Sequence, residues 1–311
     1  MKNHRSLWSR AWSLAVFGLG CVIYVITYLP GKLLIWLAAV FSDVLRRRRG
    51  AMCTPIVTLE QPETGQRVMV VGTQHLARID YFKTLQKFVG GRETAGAKVL
   101  YEFVAPVGAE GLDEATKAKL ADLKDLKEIT SLMSGGLAEY GLIYQMEGLS
   151  IRKTWCNTDM TVAQLAGRLV EHDVNLPKLG DEIKERAEAL PPVGFLFLFD
   201  LMVRHISLAS FLTRIRPSAN PLESVILKER DEIAVAGVRR ALSEGHREVV
   251  TIWGAGHVPG ICRHLADDGF QRVSRDWVPA YVLVPRLTMF RMVFKAYLAE
   301  ENKIKNGGKS A

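Results

Sequence analysis

Along residues 51–300 apolar residues recur with two different spacings, one typical of strands and one typical of helices. Short apolar or alternating runs between turn residues favour strands, and apolar residues repeated every three or four positions favour helices. The predicted strands span 55–60, 67–71, 99–104, 151–155, 248–253 and 271–284. The predicted helices span 76–90, 114–133, 158–172, 178–190, 193–212, 221–243 and 258–266, and 134–136 is predicted to break the second of them. Strands that alternate with helices predict an α/β fold with a mixed, largely parallel sheet and flanking helices.

The first 50 residues show neither of these two spacings. Residues 11–29 form an uncharged apolar run, which at about 1.5 Å per residue is long enough to cross a hydrocarbon core. Residues 33–41 are apolar again but too short to span alone. We predict a single-pass transmembrane helix and membrane anchor within residues 11–41, with a cleaved signal peptide as the alternative. The four arginines at 46–49 favour a cytoplasmic main domain.

The net charge of +8 is concentrated in this segment, because residues 1–50 carry +7 of it. The nearly neutral remainder lacks the basic surface that a phosphate backbone requires, so we expect no nucleic-acid partner. The expected organisation is an anchor with a basic flank (1–50), an α/β domain (51–300) and a disordered polar tail (301–311). The sequence leaves open whether the chain forms a homo-oligomer.

Two segments far apart in the chain share the pattern Gly-x-x-His. Residues 68–79 align without gaps on residues 250–261, so that Gly72 and His75 match Gly254 and His257. Each motif stands where a predicted strand ends and a predicted helix begins, which is the edge where open α/β sheets bind ligands. The pair predicts that the two imidazoles meet in one site, and hydrogen-bonded structural histidines are the alternative.

Glu102 follows an apolar strand run, where a carboxylate needs a partner. It is predicted to ligate a metal with the histidines or to act as general base, and an edge-strand glutamate facing water is the alternative. Arg230 lies four residues after Ile226 and three before Ile233, on the apolar face of its predicted helix. An inward arginine needs a carboxylate or a substrate oxyanion, and a structural salt bridge to Glu102 is the alternative. Asp159 is explained as a helix cap or as a group that orients a histidine.

These motifs resemble the TraB/PrgY/GumN family, which includes the Tiki proteases. The matching elements, in the same order, are 72–75, Tyr101-Glu102, 228–231 and 254–257, within a region of similarity at about 55–285. The resemblance implies a Tiki-type metal-dependent peptidase core. It assigns His75, Glu102 and His257 as metal or catalytic groups, and Arg230 as an active-site arginine.

The leading hypothesis is therefore a membrane-anchored, metal-dependent hydrolase of the peptidase class, acting on a peptide or a small molecule. Manganese, cobalt and zinc all suit nitrogen and oxygen ligands. The metal would activate water, and Arg230 would stabilise the oxyanion. Two alternatives stay open. One is a metal-free His/Glu hydrolase, similar to the erythromycin esterases, and the other is a non-catalytic protein that binds and regulates a peptide signal.

Overall fold

A seven-stranded mixed sheet forms the centre of the molecule in a computed structural model that describes residues 42–106, 110–176, 190–215 and 221–307. The strands of this sheet are β1 (Arg46–Arg48), β2 (Ala51–Glu60), β3 (Arg67–Thr73), β5 (Lys98–Tyr101), β7 (Cys156–Asn157), β8 (Glu248–Gly254) and β9 (Gln271–Val282). A two-stranded sheet contains β4 (Leu76–Arg78) and β6 (Leu142–Tyr144). The predicted membrane segment 11–41 and nearly all of the predicted helix 178–190 lie outside the described residues.

The sheet is parallel in its centre and antiparallel at one side. β3, β8, β5 and β7 follow one another in parallel, whereas β2 pairs antiparallel with β1, β3 and β9. The four residues 68–71 of β3 are all buried, which is typical of a strand covered on both faces. The predicted α/β fold with a mostly parallel central sheet and flanking helices is confirmed.

Helices cover both faces of the sheet. They are α1 (Ile79–Thr94), α2 (Glu114–Ala138), α3 (Gln145–Gly148), α4 (Val162–Glu171), α5 (Pro192–Ile215), α6 (Pro221–Glu223), α7 (Glu229–Ser243), α8 (Val258–Asp267) and α9 (Arg286–Gly307). Val250 and Ile252 of β8 pack on the α1 side, and Val249 and Trp253 pack on the side of α7 and α8. Alternate residues of one strand thus serve two cores.

The helix α2 passes through the glycines that were predicted to end it. A side chain at Gly136 would collide with the ring of Phe195 on α5. The glycine therefore allows two helices to approach closely, and the packing between them offsets the weak helix propensity of glycine, about 1 kcal/mol below alanine. The predicted helix break at 134–136 is wrong for this reason.

Both predicted boundaries of the α/β domain need correction. The arginines of β1 pair with β2, and Arg49 and Gly50 turn the chain with positive φ, so the basic flank belongs to the sheet. At the other end α9 continues to Gly307, so residues 301–307 are helical rather than disordered, and 308–311 lie outside the described residues. No helix within the described ranges is long and apolar enough to cross a membrane.

Candidate active site

The two Gly-x-x-His motifs lie on neighbouring parallel strands. In the register between β3 and β8, Gly72 lies opposite Trp253 and Thr73 lies opposite Gly254. Both strands therefore end at the same edge of the sheet, as the repeated pattern predicted. The strands that carry the motifs are hydrogen-bonded neighbours despite their separation in sequence.

The chain continues differently after the two motifs. A 3₁₀ turn (Ala255–His257) leads directly from β8 into α8, and His257 is buried at the first turn of that helix with 4% of its surface exposed. After β3 the chain first enters β4, and His75 is exposed. The prediction that each histidine precedes a helix is right for His257 and wrong for His75.

Glu102 extends from the end of β5 into this edge. Its backbone N–H donates to the Ile252 carbonyl at 2.9 Å, which continues the pairing with β8. Its Oε1 accepts from Nη2 of Arg230 at 2.6 Å, and its Oε2 accepts from the backbone N–H of Gly254. A Cβ on Gly254 would lie 3.2 Å from that Oε2, so the glycine gives the carboxylate access to the backbone.

The Glu102 carboxylate is buried and surrounded by positive groups. Burial by itself raises the pKa of Glu102, but the charges of His257, Arg230 and His75 and the Gly254 N–H outweigh it and hold the pKa below its ordinary value. Only 9% of the side chain is exposed, and β5 lies between two other strands. The alternative of an edge-strand glutamate facing water is therefore wrong.

Arg230 points inward, as its position in the helix predicted. Its Nε and Nη2 donate to the two carboxylate oxygens of Asp159 at 3.0 and 2.6 Å, and its Nη2 also contacts Glu102. The guanidinium lies 5.6 Å from the ring centroid of Trp253. This is the ion pair with Glu102 that was considered as the alternative to a catalytic arginine.

Asp159 orients this arginine, and it neither caps a helix nor orients a histidine. The helix α4 begins after Thr161, whose hydroxyl accepts from the Gln164 N–H in a reciprocal capping box, so the cap predicted at 158 or 159 is wrong. The Asp159 side chain is fully buried. A buried carboxylate requires a partner, and Arg230 supplies it.

Asp231 is a site residue that no motif in the sequence indicates. Its Oδ1 lies 2.7 Å from Nδ1 of His257, and both side chains are buried. Burial raises the pKa of Asp231, and the hydrogen bond to His257 opposes that rise. A Cβ on Gly260 would collide with Oδ2 of Asp231. The second motif is thus Gly-x-x-His-x-x-Gly, and each glycine admits one carboxylate.

A π-helical turn explains why Asp231 faces the site. Residues Ser224–Lys228 form this turn between α6 and α7, and such a turn advances the helix face by one residue. Val225 and Arg230, five positions apart, are consequently buried together, and Asp231 follows on the same side. In an uninterrupted helix whose inner face runs through Ile226 and Ile233, Asp231 would lie beside the site instead of in it.

When Asp231 is ionised and the imidazole is neutral, the hydrogen bond places the hydrogen on Nδ1 of His257 and leaves a lone pair on Nε2. This Nε2 lies 3.8 Å from Oε1 of Glu102. The separation is too long for a direct hydrogen bond, and it lets a single water molecule bond to both atoms. The arrangement is that of an oriented base beside a second acceptor.

His75 and Tyr144 lie on the more accessible side of Glu102. Their rings are stacked with centroids 6.3 Å apart, and Gln145 N–H donates to the His75 carbonyl at 2.7 Å. Burial raises the pKa of Tyr144, and the charge of Glu102 raises it further, so the phenol stays protonated. No motif in the sequence indicated Tyr144, because β6 joins the site only through its pairing with β4.

The expected ligands of a divalent ion do not form a ligand set in this arrangement. Both oxygens of Glu102 are engaged, and the Arg230 guanidinium beside them opposes a second cation. Nowhere among the described residues do three or more His, Cys, Asp or Glu side chains stand in an arrangement that could hold a metal ion. His257 and Glu102 converge as predicted, but the third ligand, His75, does not complete a metal site with them.

No known protein-family model matches this chain, and no curated protein matches it either. The TraB/PrgY/GumN assignment therefore stays a resemblance of motifs.

Proposed function

We propose that this chain is a hydrolase of carbonyl compounds, either esters or amides, in which His257 acts as the general base. The observation that carries the proposal is the 3.8 Å separation between His257 Nε2 and Glu102 Oε1, together with the hydrogen bond that fixes the imidazole on Asp231. This geometry suits the binding and deprotonation of one water molecule.

In the proposed reaction, His257 Nε2 takes a proton from the bound water as that water attacks the substrate carbonyl carbon. Asp231 holds the ring in the required tautomer and stabilises the imidazolium that forms, as the buried acid of a catalytic triad does. Glu102 accepts the second hydrogen of the water and so directs its lone pair to the substrate. The proton on His257 then passes to the leaving group.

Arg230 has a positioning role in this proposal. It keeps Glu102 ionised and in place, and Asp159 fixes the guanidinium in turn. Its Nη1 is left with one long contact, 3.5 Å to the Ile226 carbonyl. The predicted oxyanion role of Arg230 would fall to this group, and Tyr144 and His75 are the further donors on the accessible side.

The test is hydrolysis of a panel of chromogenic esters and fluorogenic peptides by the full chain. We expect activity that survives exhaustive chelation and is lost in His257→Ala. His246→Ala is the matched control, because this half-buried histidine lies outside the site. Peptide binding without hydrolysis, with or without added metal ions, would contradict the proposal and favour the non-catalytic regulator.

A metal-dependent peptidase is the second candidate function. It is favoured by the Asp231–His257 hydrogen bond, because histidines that ligate metals usually donate their other ring N–H to a carboxylate. It is also favoured by the two buried carboxylates of Glu102 and Asp159, which share the single guanidinium of Arg230. Peptidase activity lost on chelation and restored by manganese, cobalt or zinc would establish this candidate. The membrane anchor at 11–41 and the cytoplasmic orientation stay proposals from the sequence.

A further inference from the structure

In the part whose side chains are described, residues 192–204, the helix α5 buries an apolar face that contains one ion pair, and it exposes two large apolar side chains. Asp200 is buried and accepts from Arg204 Nε at 2.5 Å and from the Tyr281 hydroxyl at 3.1 Å. Arg204 also donates to the Val284 carbonyl at 2.8 Å. On the opposite side, Leu198 and Met202 are 47% and 41% exposed.

The helix α9 continues this apolar surface. Leu287, Phe290, Phe294 and Leu298 recur at three- and four-residue intervals, and all are exposed. The described residues include eleven exposed large hydrophobic side chains, and seven of them lie on α5 and α9. The two helices share one core cluster. Such a concentration of exposed apolar side chains marks an interaction surface rather than scattered surface residues.

Basic side chains border the apolar surface. The arginine hairpin, residues 46–51, consists of β1, the turn at Arg49 and Gly50, and the start of β2. Its Gly50 carbonyl accepts from the Leu283 N–H at 2.9 Å, which places the hairpin beside the junction of β9 and α9. Arg47, Arg48 and Arg49 are exposed there. Arg291 and Lys295 of α9 are exposed as well, and residues 286–299 include no acidic residue.

We propose that α5, α9 and the arginine hairpin form a surface that docks the α/β domain on an anionic phospholipid bilayer. Exposed apolar side chains with a basic border match the apolar interior and the negative headgroups of such a surface. The position of the N-terminus supports this occupant. Val44 and Leu45 belong to the same cluster as α5 and α9, and the apolar run of the sequence ends only three residues earlier, at 41.

The experiment uses the full chain reconstituted into vesicles that contain brominated phosphatidylcholine, with or without phosphatidylglycerol. Phe294→Trp places a fluorescent reporter on α9, and Val273→Trp places one on the exposed part of β9 as the matched control. The fluorescence of the wild-type tryptophans is subtracted. We expect bromine to quench the reporter at 294, and phosphatidylglycerol to strengthen this quenching, while the reporter at 273 stays unquenched.

The charge requirement is tested with Arg47→Gln/Arg48→Gln in the Phe294→Trp chain. Each neutralised arginine should shift the docked population on anionic vesicles by about fivefold toward the undocked state. Equal quenching at 294 and 273 would overturn the proposal. If the reporter at 294 is not quenched and copies of the chain cross-link through α9, the proposal would be overturned in favour of self-association. If the extent of quenching at 294 is the same with and without phosphatidylglycerol, and the same in the Arg47→Gln/Arg48→Gln variant, the proposal of an anionic bilayer as the occupant would be overturned.

Discussion

The ends of β3 and β8 begin from the same four-residue pattern and become two different environments. Both strands deliver a Gly-x-x-His motif to one edge of the sheet. After β8 the chain turns at once into α8, so His257 is buried and bonded to Asp231. After β3 the chain pairs with β6 first, and His75 stays exposed beside Tyr144. The comparison shows that a repeated motif places two side chains near each other but does not give them the same chemistry.

The largest expected effect comes from removing each histidine in turn, which tests whether the two strand ends differ in their chemistry. His257→Ala should lower kcat/KM by about 10³-fold, because general-base catalysis contributes about 10²–10⁴-fold. His75→Ala should lower it by only about tenfold, since that side chain at most assists at the accessible side. Kinetics on the best substrate of the panel measure both. Equal losses in the two variants would mean that the histidines act as a pair, which favours the metal-dependent candidate.

The glycine that makes room for the Asp231 carboxylate provides a second test of the difference between the two strand ends. Gly260→Ala should displace the Asp231 carboxylate and lower kcat/KM by about 10²-fold, the upper range for losing a group that orients a catalytic or ligating histidine. The matched control is Arg78→Ala, the same position after the first motif, which is exposed and should have little effect. Circular dichroism separates misfolding from a local change. Unchanged activity in folded Gly260→Ala protein would contradict the role of Asp231.

The acid stability of the fold tests the charge state of Glu102. Because the folded-state pKa of Glu102 is below its ordinary value of 4.5, the unfolded chain binds its proton at higher pH than the folded chain does. The resulting stability is present above pH 4.5 and is lost as the pH falls through the folded-state pKa. Glu102→Gln should therefore lower the free energy of unfolding by about 2 kcal/mol at neutral pH. Urea unfolding at a series of pH values measures the difference, which should shrink in acid. A difference that does not change with pH would contradict the ionised, charge-stabilised state.

The smallest expected effect belongs to the accessible side. Tyr144→Phe should lower kcat/KM by about tenfold or less and leave the free energy of unfolding nearly unchanged, because only one half-buried hydroxyl is lost. A loss comparable to that of His257→Ala would instead make the phenol the main oxyanion donor.

The sequence was sufficient for the parts of the site that depend on local pattern. Strand runs followed by Gly-x-x-His predicted that the motifs meet, and the apolar run before Glu102 predicted a buried carboxylate. The helix spacing also placed Arg230 inward and named Glu102 as its partner. These predictions succeed because strand ends and helix faces follow directly from the spacing of apolar residues.

The remaining site residues depend on contacts that spacing does not encode. The spacing of apolar residues does not indicate Asp231, because a π-helical turn cannot be predicted from that spacing. Asp159 is predicted as a helix cap or as a group that orients a histidine, since a side-chain oxygen before a helix does not reveal that its partner is a distant arginine. Gly136 falls in the predicted helix break at 134–136, because the Phe195 ring that requires this glycine comes from another helix. The partners that decide the roles of Asp159 and Gly136, Arg230 and Phe195, lie far away in the chain.

Gly260 offers a criterion for sorting other sequences that contain this pair of motifs. In a homologue with a larger residue three positions after its second histidine, an aspartate at the position of Asp231 would have to turn its carboxylate away. Such a chain could keep the fold and the buried arginine while losing an oriented base. Under the proposed mechanism, the residue at this one position separates homologues that keep the oriented base from those that lose it.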